Sequence, residues 1–204
     1  ISLEGDKLFI GANKEDSNQT TISTGVTASA DNSVIDSGAV YIFQRTGSNW
    51  SQEGYIKAVN AQKKDEFGYS LSSSGNTLLV SAPKEDSDYT SITNGPTIVD
   101  NNNLVASGAV YVYRYSAGEW EQEAFIKASN ALNTINYGYR AVISGDTIAV
   151  ASREEPSGQT SITNGATSSS DTSVPNSGAV YIYQRNGVNW SQQAFIKASN
   201  AGLN

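Results

Sequence analysis

Carboxylates are the side chains of this chain best suited to chemistry, because its sequence contains no cysteine and no histidine. That composition excludes thiol nucleophiles, zinc sites of the usual kind and Ser-His-Asp relays. Two acidic pairs, Glu15-Asp16 and Glu85-Asp86, occur in long polar segments. Their carboxylates, with nearby backbone carbonyls, are hard oxygen ligands of the kind that calcium takes. The alternative interpretation is a solvated acidic loop.

Three further aspartates, Asp31, Asp36 and Asp100, lie later in the same segments, but no spacing matches a known calcium cage. The third such segment carries Glu155-Pro156 instead of an acidic pair. We therefore expect no resident cofactor, and the four residues of the two pairs are the candidate ligands should calcium bind. A glycosidase acting through an Asp/Glu pair is the remaining catalytic hypothesis. Since no carboxylate pair is singled out by its position, we expect no enzyme.

The elements that position these residues follow from an internal repeat. Ser-Gly-Ala-Val-Tyr occurs three times, at 37–41, 107–111 and 177–181, each copy 70 residues after the last. All three tryptophans keep the same spacing: Trp50, Trp120 and Trp190. A fixed period of this length indicates one supersecondary unit used repeatedly.

Each unit is predicted to contain four antiparallel strands. In the middle copy these are Tyr69–Ser74, Thr77–Ala82, Gly108–Tyr115 and Trp120–Ala128, where β-branched and aromatic residues are common. A Gly-Asn or Gly-Asp dipeptide between the first two strands suits a two-residue hairpin turn. Since repeated four-stranded antiparallel units are the blades of a β-propeller, we predict an all-β fold. Its three blades would be 1–64, with a truncated first strand, 65–134 and 135–204.

The third strand predicts that both faces of a blade are covered by neighbouring blades. Val110 and Val112 share one face, Tyr111 and Tyr113 share the other, and neither face is charged. We therefore interpret the periodic tyrosines and tryptophans as packing between blades, with a carbohydrate-stacking platform as the alternative. A lysine recurs in the fourth strand, at positions 57, 127 and 197. We interpret it as an edge-strand charge that discourages pairing between sheets.

A segment of 24 residues separates the second and third strands of each copy, at 13–36, 83–106 and 153–176. Loops longer than about 12–15 residues are usually functional or disordered. Two copies share Thr-Ser-Ile-Thr-Asn-Gly, which favours an ordered loop, while the following tips differ at 96–99 and 166–169. The candidate contact residues for a ligand or partner are Tyr89, Ile92, Asn94, Ile162 and Asn164.

Short motifs around the strands resemble the FG-GAP repeat. Phe67-Gly68 precedes the first strand, and Gly11-Ala12-Asn13 or Ser81-Ala82-Pro83 follows the second. The resemblance is to integrin α-like propellers, closest to the secreted bacterial type, and it implies adhesion or ligand recognition at the cell surface. That family often carries a calcium loop between strands one and two. Here a two-residue turn such as Gly75-Asn76 occupies this place, too short for the roughly six to eight oxygens of a calcium site.

Three blades do not close a propeller, which needs about four to eight. The sequence therefore predicts either further blades in a longer parent chain or a homodimer that closes a six-bladed ring. In both cases the blade faces at the ends of the array need a covering partner.

The charge and hydropathy of the chain argue against two classes of partner, nucleic acid and the membrane interior. The net charge of −7 argues against nucleic acid, whose phosphates attract basic surfaces. No apolar run approaches the roughly 18 residues of a membrane helix, so we expect no membrane insertion. We expect a secreted or cell-surface, non-enzymatic binding module that recognises a protein or glycan ligand through its long loops. The alternative is a structural spacer or self-assembling repeat element without a dedicated ligand.

Overall fold

The computed structural model describes residues 1–26, 28–96 and 101–202, and this part of the chain is all-β. It forms three five-stranded antiparallel sheets. Within the described ranges, no helix is long and apolar enough to cross a membrane. Asp100 and the loop-tip residues 97–99, both used in the sequence interpretation, lie outside the described residues.

The three sheets have the same strand pattern. The first contains β1 (Ser2–Glu4), β2 (Lys7–Ala12), β3 (Ile22–Thr24), β4 (Ala39–Thr46) and β5 (Asn49–Ile56). The second contains β6 (Leu71–Ser74), β7 (Thr77–Ala82), β8 (Ile92–Asn94), β9 (Ala109–Ser116) and β10 (Glu119–Ile126). The third contains β11 (Tyr137–Ser144), β12 (Thr147–Ser152), β13 (Ile162–Asn164), β14 (Ala179–Asn186) and β15 (Asn189–Ile196).

Four strands of each sheet form an up-and-down meander, in the order β1-β2-β4-β5 in the first sheet. The predicted hairpin turns join the first two strands, and in each turn the glycine has a positive φ, +56° at Gly75. A side chain at that position would be strained, which explains why glycine stands there in every copy. The second strand of the middle copy, Thr77–Ala82, has the bounds that the sequence predicted.

The prediction of four strands per unit is wrong by one strand. The long segment returns to its sheet as a three-residue strand, β3, β8 or β13, which pairs antiparallel with β5, β10 or β15. In the second sheet, Ile92 pairs with Ile126 and Asn94 with Ala124. The next residue, Gly95 at φ +98°, donates its N–H to the carbonyl of Glu123 at 2.7 Å. Three residues are too few for an alternating pattern to be visible in the sequence.

Adjacent sheets pack face to face and share two apolar cores. One core joins the first and second sheets through residues such as Phe9 and Ile42 on one side and Phe67 and Tyr111 on the other. The second core joins Val112 and Ile126 to aromatic residues of the third sheet. The predicted packing role of two tryptophans is confirmed. Trp120 is buried in the first core and meets the Phe9 ring edge-on at 5.5 Å, and Trp190 is buried in the second core.

A β-bulge interrupts the last hairpin of each meander at the same place. In the second sheet the register shifts between Gln122 and Ala124, so Glu123 is the residue without a cross-strand partner. A bulge re-aims the side chain that it carries. The Glu123 carboxylate accordingly reaches the third sheet, where it pairs with Arg185 at 3.0 Å.

Candidate functional site

Glu15 and Glu85, two of the candidate metal ligands predicted from the sequence, form ion pairs within their own sheets. The Glu15 carboxylate accepts a hydrogen bond from Lys57 Nζ at 2.8 Å, and the same ammonium donates to Ser37 Oγ at 2.6 Å. The second copy repeats this contact between Lys127 and Glu85 at 2.6 Å, and the third between Lys197 and Glu155 at 2.7 Å. Glu15 and Glu85 are therefore occupied by a buried cation rather than presented to solvent.

The interpretation of these lysines as exposed edge charges is wrong. Lys57, Lys127 and Lys197 are all buried. The strand that precedes each of them is not an edge, because β3, β8 or β13 pairs beyond it. A buried ammonium requires a counter-charge and hydrogen-bond acceptors, which the glutamate and the serine of the same sheet supply.

The neighbouring aspartates close the long loops. Asp16 Oδ1 accepts the backbone N–H of Asp36 at 2.7 Å, and Asp86 Oδ1 accepts that of Ala106 at 2.6 Å. Both donor residues have positive φ, +57° and +50°, a conformation that costs energy for a residue other than glycine. Among residues 1–26, 28–96 and 101–202, no group of three or more acidic side chains is arranged to hold a metal ion.

The carboxyl groups of Glu15 and Asp65 have pKa values shifted in opposite directions. Burial alone would raise the pKa of Glu15, but hydrogen bonds from Lys57 and Ser17 hold it below its usual range. Burial raises the pKa of the Asp65 carboxyl to about 8, and the nearby Glu85 and Asp86 carboxylates add to that effect. The position equivalent to Asp65 in the next unit is the buried Ile135, so this acid is particular to the junction between the first two sheets.

The five loop candidates have different surroundings. Tyr89 is half-buried ahead of β8, and Ile92 packs in that strand against the second core. Asn94 Oδ1 accepts the backbone N–H of Trp190 at 2.8 Å, so this side chain connects two sheets. Ile162 and Asn164 lie exposed in β13, on the third sheet.

Two equivalent clefts lie where adjacent sheets meet, close to the outer strands β3 and β8. The first cleft, between the first and second sheets, has a volume of about 520 Å³ and is lined by residues that include Ile22, Val59, Pro96, Tyr113 and Trp120. The second cleft, between the second and third sheets, has a volume of about 270 Å³. Its lining includes the residues 70 positions later, Ile92, Ser129, Ala166, Tyr183 and Trp190.

The polar groups that line the second cleft are paired within the protein. Trp190 Nε1 donates to Glu123 Oε1 at 2.8 Å, and Tyr137 Oη donates to Tyr183 Oη at 2.7 Å. Ser129 Oγ donates to Gln192 Oε1, also at 2.8 Å. Trp190, Tyr183 and Ser129, which line the second cleft, therefore have hydrogen-bond partners within the protein.

The first cleft lacks these pairs. Tyr113 Oη and Trp120 Nε1 are buried, yet neither has a hydrogen-bond partner within the described ranges. Phe67 stands where the next unit has Tyr137, so no phenol reaches Tyr113. Glu53 stands where the next unit has Glu123, but its carboxylate is held by Lys7 and by the Tyr115 hydroxyl. The wall of the first cleft therefore holds two buried, unpaired polar groups, beside apolar residues such as Ile22 and Val59 and polar residues such as Lys57 and Gln122.

A comparison with known protein families matches a segment that includes part of the first cleft. Residues 50–113 match the FG-GAP repeat. The chain carries an FG-GAP repeat. The match includes Phe67 and Gly68 and reaches Tyr113 and Trp50 at its two ends. No curated protein matches the chain.

The Phe-Gly motif of this FG-GAP repeat has a packing reason. Phe67 is buried, with its ring edge-on to Tyr111 at 5.1 Å, and its N–H donates to the carbonyl of Ser37 at 3.1 Å. Gly68 has φ +90°, and a Cβ there would lie 2.6 Å from the Ala39 carbonyl oxygen. The motif thus brings the connection between sheets against the first sheet.

The sequence predicted that Tyr113 and Trp120 lie in the core but did not identify them as a site. Comparing the copies of the repeat could have identified this site. Tyr137 and Ser129, which provide polar groups at the second junction, are replaced by Phe67 and Val59 at the first. Those two differences predict fewer internal hydrogen bonds in the first cleft.

Proposed function

We propose that the chain is a non-enzymatic β-propeller segment of a secreted or cell-surface protein and that its first cleft binds a protein ligand. Each sheet is one blade, a four-stranded meander with an added outer strand. The periodic glutamates are held by lysine and serine, so the proposal gives them no catalytic role and no calcium. The FG-GAP repeat and the stacking of like sheets support the propeller.

The observation that carries the proposal is the pair of unsatisfied groups in the first cleft. A buried polar group without a partner costs about 1–3 kcal/mol, and native structures contain few of them. Trp120 Nε1 and Tyr113 Oη both line the same cleft, and both are satisfied at the equivalent places of the second cleft. A ligand that brings hydrogen-bond acceptors would satisfy them.

The lining favours an extended peptide over other ligands. Ile22, Val59 and Pro96 supply apolar contact for a side chain, and an indole N–H and a phenol can each bind a peptide carbonyl. The net charge of −7 and the nearby Glu121 disfavour an acidic ligand.

The test is a screen of the whole chain on arrays of extracellular-matrix peptides and of glycans. We expect retention of peptides with an apolar residue flanked by free carbonyls. Trp120→Phe removes one donor, and Phe67→Tyr supplies an internal partner for Tyr113, so each should weaken binding about tenfold, the effect of roughly one hydrogen bond. Ser191→Ala, at the second cleft, is the matched control and should bind as the parent does.

Unfolding curves keep this test interpretable: Phe67→Tyr should leave the fold at least as stable as the parent, whereas Trp120→Phe removes buried volume and should lower stability moderately while the chain still folds. Peptides that bind the parent and both variants equally would refute the first cleft as the site. A chain that retains glycans and no peptides would refute the peptide ligand.

A further inference from the structure

A third cavity lies between the second and third sheets, and its lining residues are different from those of the two clefts. Its volume is about 230 Å³, and its lining includes Glu66, Tyr69, Lys84, Asn136, Tyr139 and Arg153. The ring centroids of Tyr69 and Tyr139 lie 5.6 Å apart, and we call this space the tyrosine cavity. Typical ligand pockets measure about 300–1,000 Å³, so this one suits a small molecule or a single unit of a polymer.

Lys84 in this cavity lacks the counter-charges that its equivalent has at the first junction. Lys14, one period earlier, binds the carboxylates of Glu66 at 2.7 Å and Asp36 at 3.4 Å. Lys84 itself is half-buried and forms no ion pair with any residue in the described ranges. The reason is that neutral residues stand 70 positions after the two carboxylates, Asn136 and Ala106.

Arg153 adds a second cation to the tyrosine cavity. It stands where the middle copy has Pro83 and the first copy has Asn13. Its guanidinium lies over the Tyr139 ring, 4.6 Å from the centroid, and Nη1 donates to Tyr139 Oη at 3.3 Å. Glu154 accepts hydrogen bonds from Nε and Nη2. Since a guanidinium has five N–H donors, Arg153 keeps donors for a negative group of a ligand.

Asn136 requires that the ligand also bring a hydrogen-bond donor. This residue is only 8% exposed, and its Nδ2 donates to the carbonyl of Thr134 at 3.1 Å. Its Oδ1 is buried and has no hydrogen-bond partner among the residues that the structure describes. A buried acceptor without a partner is costly, and native structures contain few of them. The tyrosine cavity therefore calls for a ligand with both a negative charge and a neutral or positive donor.

The charges around the cavity favour a hydroxyl as that donor. An ammonium group would lie near Lys84 and Arg153, which repel it. The carboxylate of Glu66 also lines the cavity, but Lys14 already binds it at 2.7 Å. A sugar hydroxyl carries no charge and can donate to Asn136 Oδ1 without that repulsion.

We propose that the tyrosine cavity binds one acidic sugar unit, a hexuronate. Lys84 and Arg153 bind its carboxylate, and Asn136 Oδ1 accepts one of its hydroxyls. This site lies at the second junction and takes a negative ligand, whereas the first cleft lies at the first junction and takes a peptide. The two binding activities therefore depend on different residues, and either can fail without the other.

A titration of the whole chain with glucuronate, followed by nuclear magnetic resonance, tests the ligand. Glucose lacks the carboxylate, acetate lacks the hydroxyls, and glycine has an ammonium in their place. We expect saturable binding of glucuronate at least tenfold tighter than that of the other three, and weaker binding at high salt. Glucose binding as tightly would refute the role of the two cations. Acetate or glycine binding as tightly would refute the sugar, and no saturable binding of glucuronate would refute the site.

Asn136→Glu tests the location, because it restores the arrangement of the first junction. Glu66 has φ +57° in the equivalent place, against +49° at Asn136, so a glutamate fits this backbone. The new carboxylate should bind Lys84 as Glu66 binds Lys14, and glucuronate affinity should fall at least tenfold. Asn186→Glu, the same substitution at an exposed strand end of the third sheet, is the matched control and should bind as the parent does.

Arg153→Asn introduces the residue that the first copy has in this place and should also weaken glucuronate binding about tenfold, the effect of roughly one charged hydrogen bond. Unfolding curves of each variant confirm that it still folds. If Asn136→Glu and Arg153→Asn both bind glucuronate as the parent does, the tyrosine cavity is not the site.

Discussion

Trp190 donates its indole N–H to the Glu123 carboxylate at 2.8 Å, across the junction between the second and third sheets. One period earlier, Trp120 occupies the same place in the fold and makes no such bond. The cause is the residue at the end of the neighbouring strand. Glu123 is bound by both Arg185 and Trp190, whereas Glu53 is bound by Lys7 and Tyr115. Equivalent positions in one repeat therefore differ in hydrogen bonding while the strands around them stay the same.

The two tryptophans predict unequal effects of one substitution. Trp120→Phe and Trp190→Phe remove the same volume, but only the second breaks a hydrogen bond and leaves a buried carboxylate with one partner fewer. Trp190→Phe should therefore lower the free energy of unfolding by about 1–3 kcal/mol more than Trp120→Phe. Urea denaturation of both variants measures the difference. Equal losses would mean that Trp120 Nε1 has a partner after all.

Gly108 and Gly178 form a second matched pair. Both have positive φ, +80° and +73°, so alanine is strained at either position. A Cβ on Gly108 would lie 2.1 Å from the Tyr137 carbonyl oxygen, whereas a Cβ on Gly178 would meet nothing closer than 3.4 Å. Gly108→Ala should therefore destabilise the fold by about 1–3 kcal/mol more than Gly178→Ala, since only the first forces two sheets apart. Thermal or urea unfolding decides this, and equal costs would show that the close approach relaxes freely.

The buried Lys127 predicts a large effect of breaking an ion pair. Lys127→Met leaves the Glu85 carboxylate buried without its cation, which costs about 3–5 kcal/mol in comparable cases. Adding Glu85→Gln should recover most of that loss, because the neutral amide no longer needs a counter-charge and still bonds Asn60 and Ser87. Unfolding free energies of the two single variants and the double variant give the coupling. A double variant no more stable than Lys127→Met would contradict this account.

Asp65 predicts a decline of stability with rising pH. Burial raises the pKa of its carboxyl to about 8, against about 4 in an unfolded chain, so the folded state binds more protons between these values. The stability that protonated Asp65 contributes is complete below about pH 4 and is lost as the pH rises through about 8. Lys127 opposes the shift, and Glu85 and Asp86 reinforce it.

Asp65→Asn is the matched variant for that effect. The amide oxygen can still accept the N–H of Gln62, which Asp65 Oδ2 accepts at 2.9 Å, and the group no longer titrates. The variant should match the parent below about pH 4, gain on it as the pH rises through about 8, and be more stable near pH 9. Melting temperatures across that range provide the measurement. A parent and a variant with parallel pH profiles would show that Asp65 titrates normally.

Repetition explains how much of the fold could be predicted from the sequence. Residues 70 apart must have the same role, so the strands, the glycine turns and the packing of Trp120 and Trp190 followed from aligning three copies. The fifth strand did not follow, because Ile92–Asn94 is only three residues long and its pairing with β10 is a tertiary contact. The sequence pattern of a three-residue segment does not indicate which distant strand it will pair with.

The site was harder to predict than the fold. A lysine that follows a strand is normally solvent-exposed, and only the position of Glu15 in space shows why Lys57 is buried. The exposure of Trp50 was also hidden, because the repeat gives all three tryptophans the same place and exposure depends on what packs against each sheet. The unpaired groups of the first cleft depend on small differences between copies. The features that all three copies share do not reveal those differences.

Under the peptide binding that we propose for the first cleft, the residues that set recognition differ from those that set the fold. Phe67 or Tyr137, and Val59 or Ser129, decide whether the chain satisfies its own polar groups or leaves them for a guest, while the strands around them stay the same. A protein engineer could therefore tune one junction at a time by exchanging residues between copies. Each exchange would draw on a side chain that the same backbone already accommodates elsewhere.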